Sequence, residues 1–350
     1  QRTTGAWRGA GDGLMARIVL GVGTTHGPIL STPPDQWHLR VEADKHNPEL
    51  YFQGRPYDFD TVVKLRQGER LAEQITPARM AQRHAACQRA IAALSDKLEE
   101  VSADVAVIIG DDQEEVFLWD NMPAFSVFWG DTIENVGPTP EQADALPPGL
   151  AVALWGHYPP QPLTHPGEPR LGRHLIEQLV ANGFDVAQSR EMPAGYHANH
   201  GVPHAYAFVY RRLMNDQVIP NVPVFINTFY PPNQPGLGRC YDFGRALGRA
   251  IRDWDSDKTV AVFGSGGLSH FVVEEDLDQD VLAALKDKDE QRLRSFPVER
   301  FNSGTSEIRN WIALAGALAD TPLEMQLVDY VPCYRSLAGT GNAAAFAYWD

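Results

Sequence analysis

The stretch PARMAQRHAACQRAIAALSDKLEEVSADVAVIIGDDQ, residues 77–113, decides the fold class. In its first part Met80, His84, Cys87, Ile91, Leu94 and Leu98 recur at spacings of three and four, which predicts one amphipathic helix over 77–101. DVAVIIG (104–110) follows at once, a near-continuous apolar run that predicts a strand buried on both faces. A helix leading into a fully buried strand is the repeating unit of an α/β sheet covered by helices on both sides.

The same rhythm extends in both directions. Upstream, ARIVLGVG (16–23) is a short β-branched run closed by glycines and predicts a strand. Downstream, 170–182 predicts a helix, FDVAQ (184–188) and VPVFINTF (222–229) strands, and FGRALGRAIRDW (243–254) a helix. TVAVFGSGG (259–267) predicts another strand ending in a glycine turn, and 276–292 and 305–319 predict helices, the second with Thr305 as its N-cap. No repeat at a fixed period is present. The proline-dense region 137–169 is expected to be a long decorated loop inside one domain, because strands of one kind continue on both sides of it. The expectation is therefore a flexible leader over residues 1–15 and one large α/β domain over 16–350, with a mostly parallel central sheet covered on both faces.

Composition narrows the function. The 350 residues carry 45 acidic and 30 basic side chains, a formal charge of −15, which argues against nucleic acid or an anionic membrane as the main partner. A small anionic substrate needs only one or two local arginines or a helix N-terminus, and a carboxylate could be bound by Arg40, Arg55, Arg239 or a backbone nest, among which the sequence does not choose. Cys87, Cys240 and Cys333 are widely spaced and form no CxxC, so a disulfide framework or cysteine zinc site is not expected, and a reducing cytoplasm is the simplest setting. No apolar stretch reaches the roughly 20 residues that span a bilayer.

Ligands in such folds collect at the carboxyl ends of the strands. Polar clusters stand there: Thr24-Thr25-His26, Asp111-Asp112-Gln113-Glu114, and the loop of Ser265, Ser269 and His270. His197-Ala198-Asn199-His200 lies mid-chain, and Thr305-Ser306-Glu307 opens a predicted helix. Read singly, each is an ordinary cap, turn or solvated charge run. GSGGLSH lacks the GK[ST] of a phosphate loop, and Ser265 is not in a GxSxG elbow.

Taken in order, GVGTTHGP (21–28), VAVIIGDDQ (105–113), NHG (199–201), NTFYPPNQPGLGRCYDFG (227–244), VFGSGGLSH (262–270), SGTSEIRNW (303–311) and AGTGNAAAFAYW (338–349) resemble the class III extradiol ring-cleavage dioxygenases, the superfamily of the protocatechuate 4,5-dioxygenase catalytic subunit. The opening GTTHGPILSTPPDQW is similar to the branch acting on gallate-type rings such as 3-O-methylgallate. The resemblance implies an Fe(II)-dependent enzyme that opens the ring of a catechol- or gallate-type aromatic acid with O2. Two histidines and a carboxylate then hold the metal on one face. His26 and Glu307 match two of these ligands. His270 matches the acid/base histidine and His200 a pocket histidine that positions substrate, with Thr25, Asp111, His197 and Ser269 as further substrate contacts.

One position departs from the pattern. Gln113 stands where the family has its other histidine ligand, and an amide oxygen is a weaker donor than imidazole. Three readings stand open: Gln113 as the third ligand, Asp111 or another histidine such as His46 or His157 in its place, or a site that has lost iron. With the last come two alternatives, a same-fold lyase or hydrolase with altered or no metal, and a non-catalytic binding protein. The insertion at 31–75 is expected either to act as a lid, with Trp37, Tyr51, Phe52 and Tyr57 as aromatic walls, or to be a surface excursion. A homodimer is the default state for such enzymes.

Overall fold

The computed structural model describes residues 15–350, so the expected leader lies outside the described residues except for Met15. Among the described residues eight strands form one sheet: β1 (Arg17–Thr24), β2 (Val105–Gly110), β3 (Phe125–Phe128), β4 (Ala187–Ser189), β5 (Asn221–Ile226), β6 (Thr259–Ser265), β7 (Met325–Tyr334) and β8 (Gly341–Trp349). Their order across the sheet is β7-β8-β1-β6-β2-β5-β3-β4. The four central strands β1, β6, β2 and β5 run parallel. β8 joins β1 and β3 joins β5 antiparallel, so the chain builds a parallel centre with antiparallel flanks.

The buried strands show why apolar runs without alternation were needed. On β2, Val105, Val107 and Ile109 face one core while Ala106 and Ile108 face the other; on β6, Val260 and Val262 oppose Ala261 and Phe263 in the same way. A strand with helices on both sides has no polar face to offer. β1 changes sides: Ile18 joins the first core and Leu20 the second, because the pairing register shifts between them. The second core is closed by α1 (Pro77–Val101), through Cys87, Ile91, Leu94 and Leu98. The first is closed by α2 (Pro169–Ala181), α4 (Leu237–Arg252), α5 (Glu275–Lys286) and α6 (Ile308–Leu318). A short helix α3 (His204–Phe208), continued by a wide π turn over Val209–Leu213, is buried in the second core.

Several elements differ from expectation. FDVAQ forms a strand only from Ala187 onward, and 276–292 is broken after Lys286, with a separate turn of helix at Glu290–Ser295. Thr305 does not cap a helix: it lies in a 3-10 turn, Ser303–Glu307, and its hydroxyl bridges the backbone N–H and C=O of His270. The proline-dense region is more than decoration, since Leu163–Pro166 pairs with Thr132–Asn135 and 146–158 form a wall of the cavity described below. Cys87 and Cys333 are buried with their sulfurs 3.7 Å apart as free thiols.

Candidate metal centre and substrate cavity

β1, β6 and β2 are neighbours and parallel, so their carboxyl ends open on one edge, and the chain leaving each end carries a functional group. His26 follows β1, Asp111 follows β2, and the loop 266–270 follows β6. Glu307 sits just ahead of α6, and His204 is the first residue of α3. One ligand atom from each of His26, Asp111, His204 and Glu307 lies within 4.8 Å of every other. All are buried except His204, which is half-buried.

Each histidine is turned by its far nitrogen. Ser265 Oγ donates its single hydrogen to the Ala205 carbonyl at 2.7 Å, so it accepts from His26 Nδ1 at 3.0 Å. The Nδ1–H of His204 donates to Glu115, whose other oxygen accepts from the His204 backbone N–H at 3.1 Å and from the Tyr158 hydroxyl at 3.0 Å. Asp112 builds this support by accepting from the N–H groups of Glu115, Val116 and Phe117. Both Nδ1 atoms are thus committed as donors, and both Nε2 atoms point inward, 3.1 Å apart.

Two inward lone pairs at that distance require a cation between them. Burial alone would lower the His204 pKa, but Glu115 outweighs it and carries the imidazole up to about 10. Burial raises the Asp111 carboxyl to about 6, helped by the charge of Glu307. Asp111 Oδ1 accepts from Asn310 at 2.8 Å while its buried Oδ2 has no partner among the described residues. Two imidazoles on carboxylate or hydroxyl supports, a carboxylate and an orphaned carboxylate oxygen form a donor set that fits a divalent transition metal.

His270 stands against this group. Its Nδ1–H donates to the Leu268 carbonyl at 2.8 Å, and Nε2 lies 3.2 Å from Glu307 Oε1. Burial would lower its pKa, but Glu307 reverses the sign and raises it. In return, although burial works to raise the Glu307 pKa, His270 and His26 hold it well below the carboxylate range. Gly304 makes room for this ring, because a Cβ there would stand 2.1 Å from His270 Cδ2.

A cavity of about 410 Å³ opens beside the group, with His26, His204, His270 and Glu307 in its wall. Gln113 and His197 also line it. Gln113 donates its amide to Glu307 Oε1 at 3.1 Å, so it presents a hydrogen to the group while His204 presents the inward nitrogen. Three expected substrate contacts are corrected. His200 is exposed, lies outside the cavity lining and bonds the Met192 carbonyl. Thr25 is tied to β8 through Ala345, and Ser269 is consumed by Asp278 and the Glu274 N–H. Of the other histidines considered as ligands, His46 is exposed and bonds the Glu42 carbonyl, and His157 bonds the backbone carbonyl of His26, holding that residue from behind. Trp37 is a cavity wall, whereas Tyr51, Phe52 and Tyr57 lie in a hairpin off the lining.

Sequence reading passed over His204 and Glu115. The available signals were a histidine at the first turn of an apolar helix, HAYAFVY after Pro203, and an acidic run with one member more than its turn needs.

Residues 80–346 match the family described as the catalytic LigB subunit of aromatic ring-opening dioxygenase. The chain belongs to this family. The LigB match contains Asp111, His204, His270 and Glu307 and begins after His26. Similar proteins include a 2,3-dihydroxyphenylpropionate/2,3-dihydroxicinnamic acid 1,2-dioxygenase of Cupriavidus necator, 30% identical over 183 residues, covering 52% of this chain and 49% of the relative. A gallate dioxygenase of Pseudomonas putida is 28% identical over 185 residues, covering 49% of this chain and 52% of the relative. The matches span about half the length of these relatives.

Proposed function

We propose that this LigB-family chain is an Fe(II)-dependent extradiol dioxygenase that opens the ring of a catechol- or gallate-type aromatic acid with O2. The observation that carries the reading is the inward-facing Nε2 pair of His26 and His204 beside Glu307, on the wall of a cavity of about 410 Å³, with the unpartnered oxygen of the fully buried Asp111 behind the lining. His26, His204 and Glu307 would hold the iron, with Asp111 adjacent. Bound iron supplies coordination for the two substrate oxygens and O2 and passes electron density between them.

The remaining steps fall to the chain. Leu268 fixes the His270 ring with Nε2 toward the metal group, so that nitrogen takes a substrate hydroxyl proton and later returns it. Ile29, Trp37, Leu150 and Leu154 keep the ring in an apolar slot. His197, whose buried Nδ1 has no partner among the described residues, faces the same cavity as a hydrogen-bonding group for ring substituents. The reading includes a reducing, cytoplasmic setting, supported by three free buried thiols, and a homo-oligomer by analogy with enzymes of this kind. No helix among the described residues is long and apolar enough to cross a membrane.

The test is anaerobic reconstitution with Fe(II), followed by O2 uptake with protocatechuate, 3-O-methylgallate and 2,3-dihydroxyphenylpropionate. Stoichiometric O2 consumption with a ring-opened product is expected for at least one. No uptake by iron-loaded protein across the panel refutes the reading.

A further inference from the structure

The cavity wall carries a second charge cluster that the metal site does not use. Arg40 and Arg335 both line it. Arg335 is buried and forms a two-pronged pair with Asp44, Nε and Nη2 each at 2.7 Å, and Thr340 donates to Asp44 Oδ2 at 2.6 Å. Asp44 is thereby filled. Arg40 forms no salt bridge or side-chain hydrogen bond among the described residues, and the charges that act on it are Arg335, which opposes its own, and Asp44. Within this cluster two guanidiniums against one carboxylate leave one positive charge over, in a chain of net charge −15.

Burial and the neighbouring Arg335 bring the Arg40 pKa down to about 10, which still leaves it charged at neutral pH. Arg40 is half-buried, and a partly desolvated guanidinium with no direct ion-pair partner is stabilised by a ligand that supplies a carboxylate. The stem of Arg40 is also seated: a Cβ on Gly149 would stand 2.6 Å from Arg40 Cδ, so the glycine lets the side chain lie flat against the 148–151 turn.

We infer that Arg40 is the specificity-determining residue of this cavity, docking the carboxylate of an aromatic acid whose ring oxygens face the metal cluster. Guanidinium and carboxylate match in geometry, and the pair is charge-assisted. The inference rests on the ring-cleavage reading for the orientation of the ring, but the anion site itself is independent of the metal.

The experiment therefore uses metal-free protein. Dissociation constants of benzoate, phenylacetate and 3-phenylpropionate are measured by calorimetry, each against its neutral amide. Wild type is expected to bind at least one acid about tenfold or more tighter than its amide. Arg40→Met is expected to abolish that preference while leaving amide affinity unchanged, which also reports an intact cavity. No preference for any acid in wild type, or a preference that survives Arg40→Met, overturns the inference. An acid preference that depends on Arg40, in a protein whose iron-loaded form consumes no O2 with catecholic acids, upholds the anion site and refutes ring cleavage. O2 uptake without acid preference does the reverse.

Discussion

The two polar clusters on the cavity wall are electrostatic opposites. Around His26, Asp111, His204 and Glu307, carboxylate oxygens and inward ring nitrogens converge as a donor set for a cation. Around Arg40 and Arg335 guanidiniums outnumber carboxylates, and the cluster lacks an anion. They also differ in construction. The first is held from behind by Ser265, Glu115 and Tyr158, so its geometry is set before any ligand arrives. In the second Arg335 is braced by Asp44, whereas the Arg40 guanidinium has no side-chain hydrogen bond or ion pair among the described residues, only its stem being seated against the 148–151 turn. A rigid cation site beside an adjustable anion site suits a substrate whose reacting oxygens must be placed closely and whose remote charge need only be recognised.

The largest expected break in this comparison is His204→Ala. It removes one inward nitrogen, and iron affinity and O2 uptake should fall by more than about 100-fold. Glu115→Gln keeps the ring but removes the charge behind it. Iron affinity should fall by about 10- to 100-fold, read by anaerobic titration, with acid binding to the metal-free protein unaltered. Arg40→Met should do the converse, raising KM for a catecholic acid by about tenfold with iron content unchanged. Gly149→Ala should give the smallest effect, a loss of about threefold in acid affinity, because a flexible arginine stem can yield to the new methyl group where backbone could not. A Gly149→Ala loss as large as that of Arg40→Met would show that Arg40 is held rigidly, against the contrast drawn above.

How much of this was legible follows from which residues act through periodicity and which through turns. The helix over 77–101 and the strand beginning at Val105 are in the sequence because their partners lie on both sheet faces and leave an unambiguous apolar pattern. β7 and β3 left weaker traces: MQLVDYVPCY at the sheet edge mixes Asp329 and Pro332 into the run, and FSVF is only four residues long. His26, Asp111, His270 and Glu307, which the structure brings together, stand at strand ends and a helix start that are themselves readable, although Asp111, expected as a substrate contact, lies outside the cavity lining. His200 and His204 were not separable, since both flank the same Gly-Val-Pro. His200 sits at φ 56 with its ring on a loop carbonyl, and the chain must turn through Gly201 and enter α3 at Pro203 before His204 is aimed inward. The helix start after Pro203 is a local signal for His204, but its aim is fixed by Glu115, 89 residues away.

The departure at Gln113 thereby acquires a physical account. Under the proposed reading, the imidazole missing after β2 is matched by the one at the start of α3, while the Gln113 amide donates to Glu307. The most direct test of this exchange is anaerobic Fe(II) titration of wild type, Gln113→Ala and His204→Ala. The account predicts one tightly bound iron per chain in wild type, affinity within about threefold of that in Gln113→Ala, and loss of more than about 100-fold in His204→Ala. Retention of iron by His204→Ala together with its loss from Gln113→Ala would contradict it.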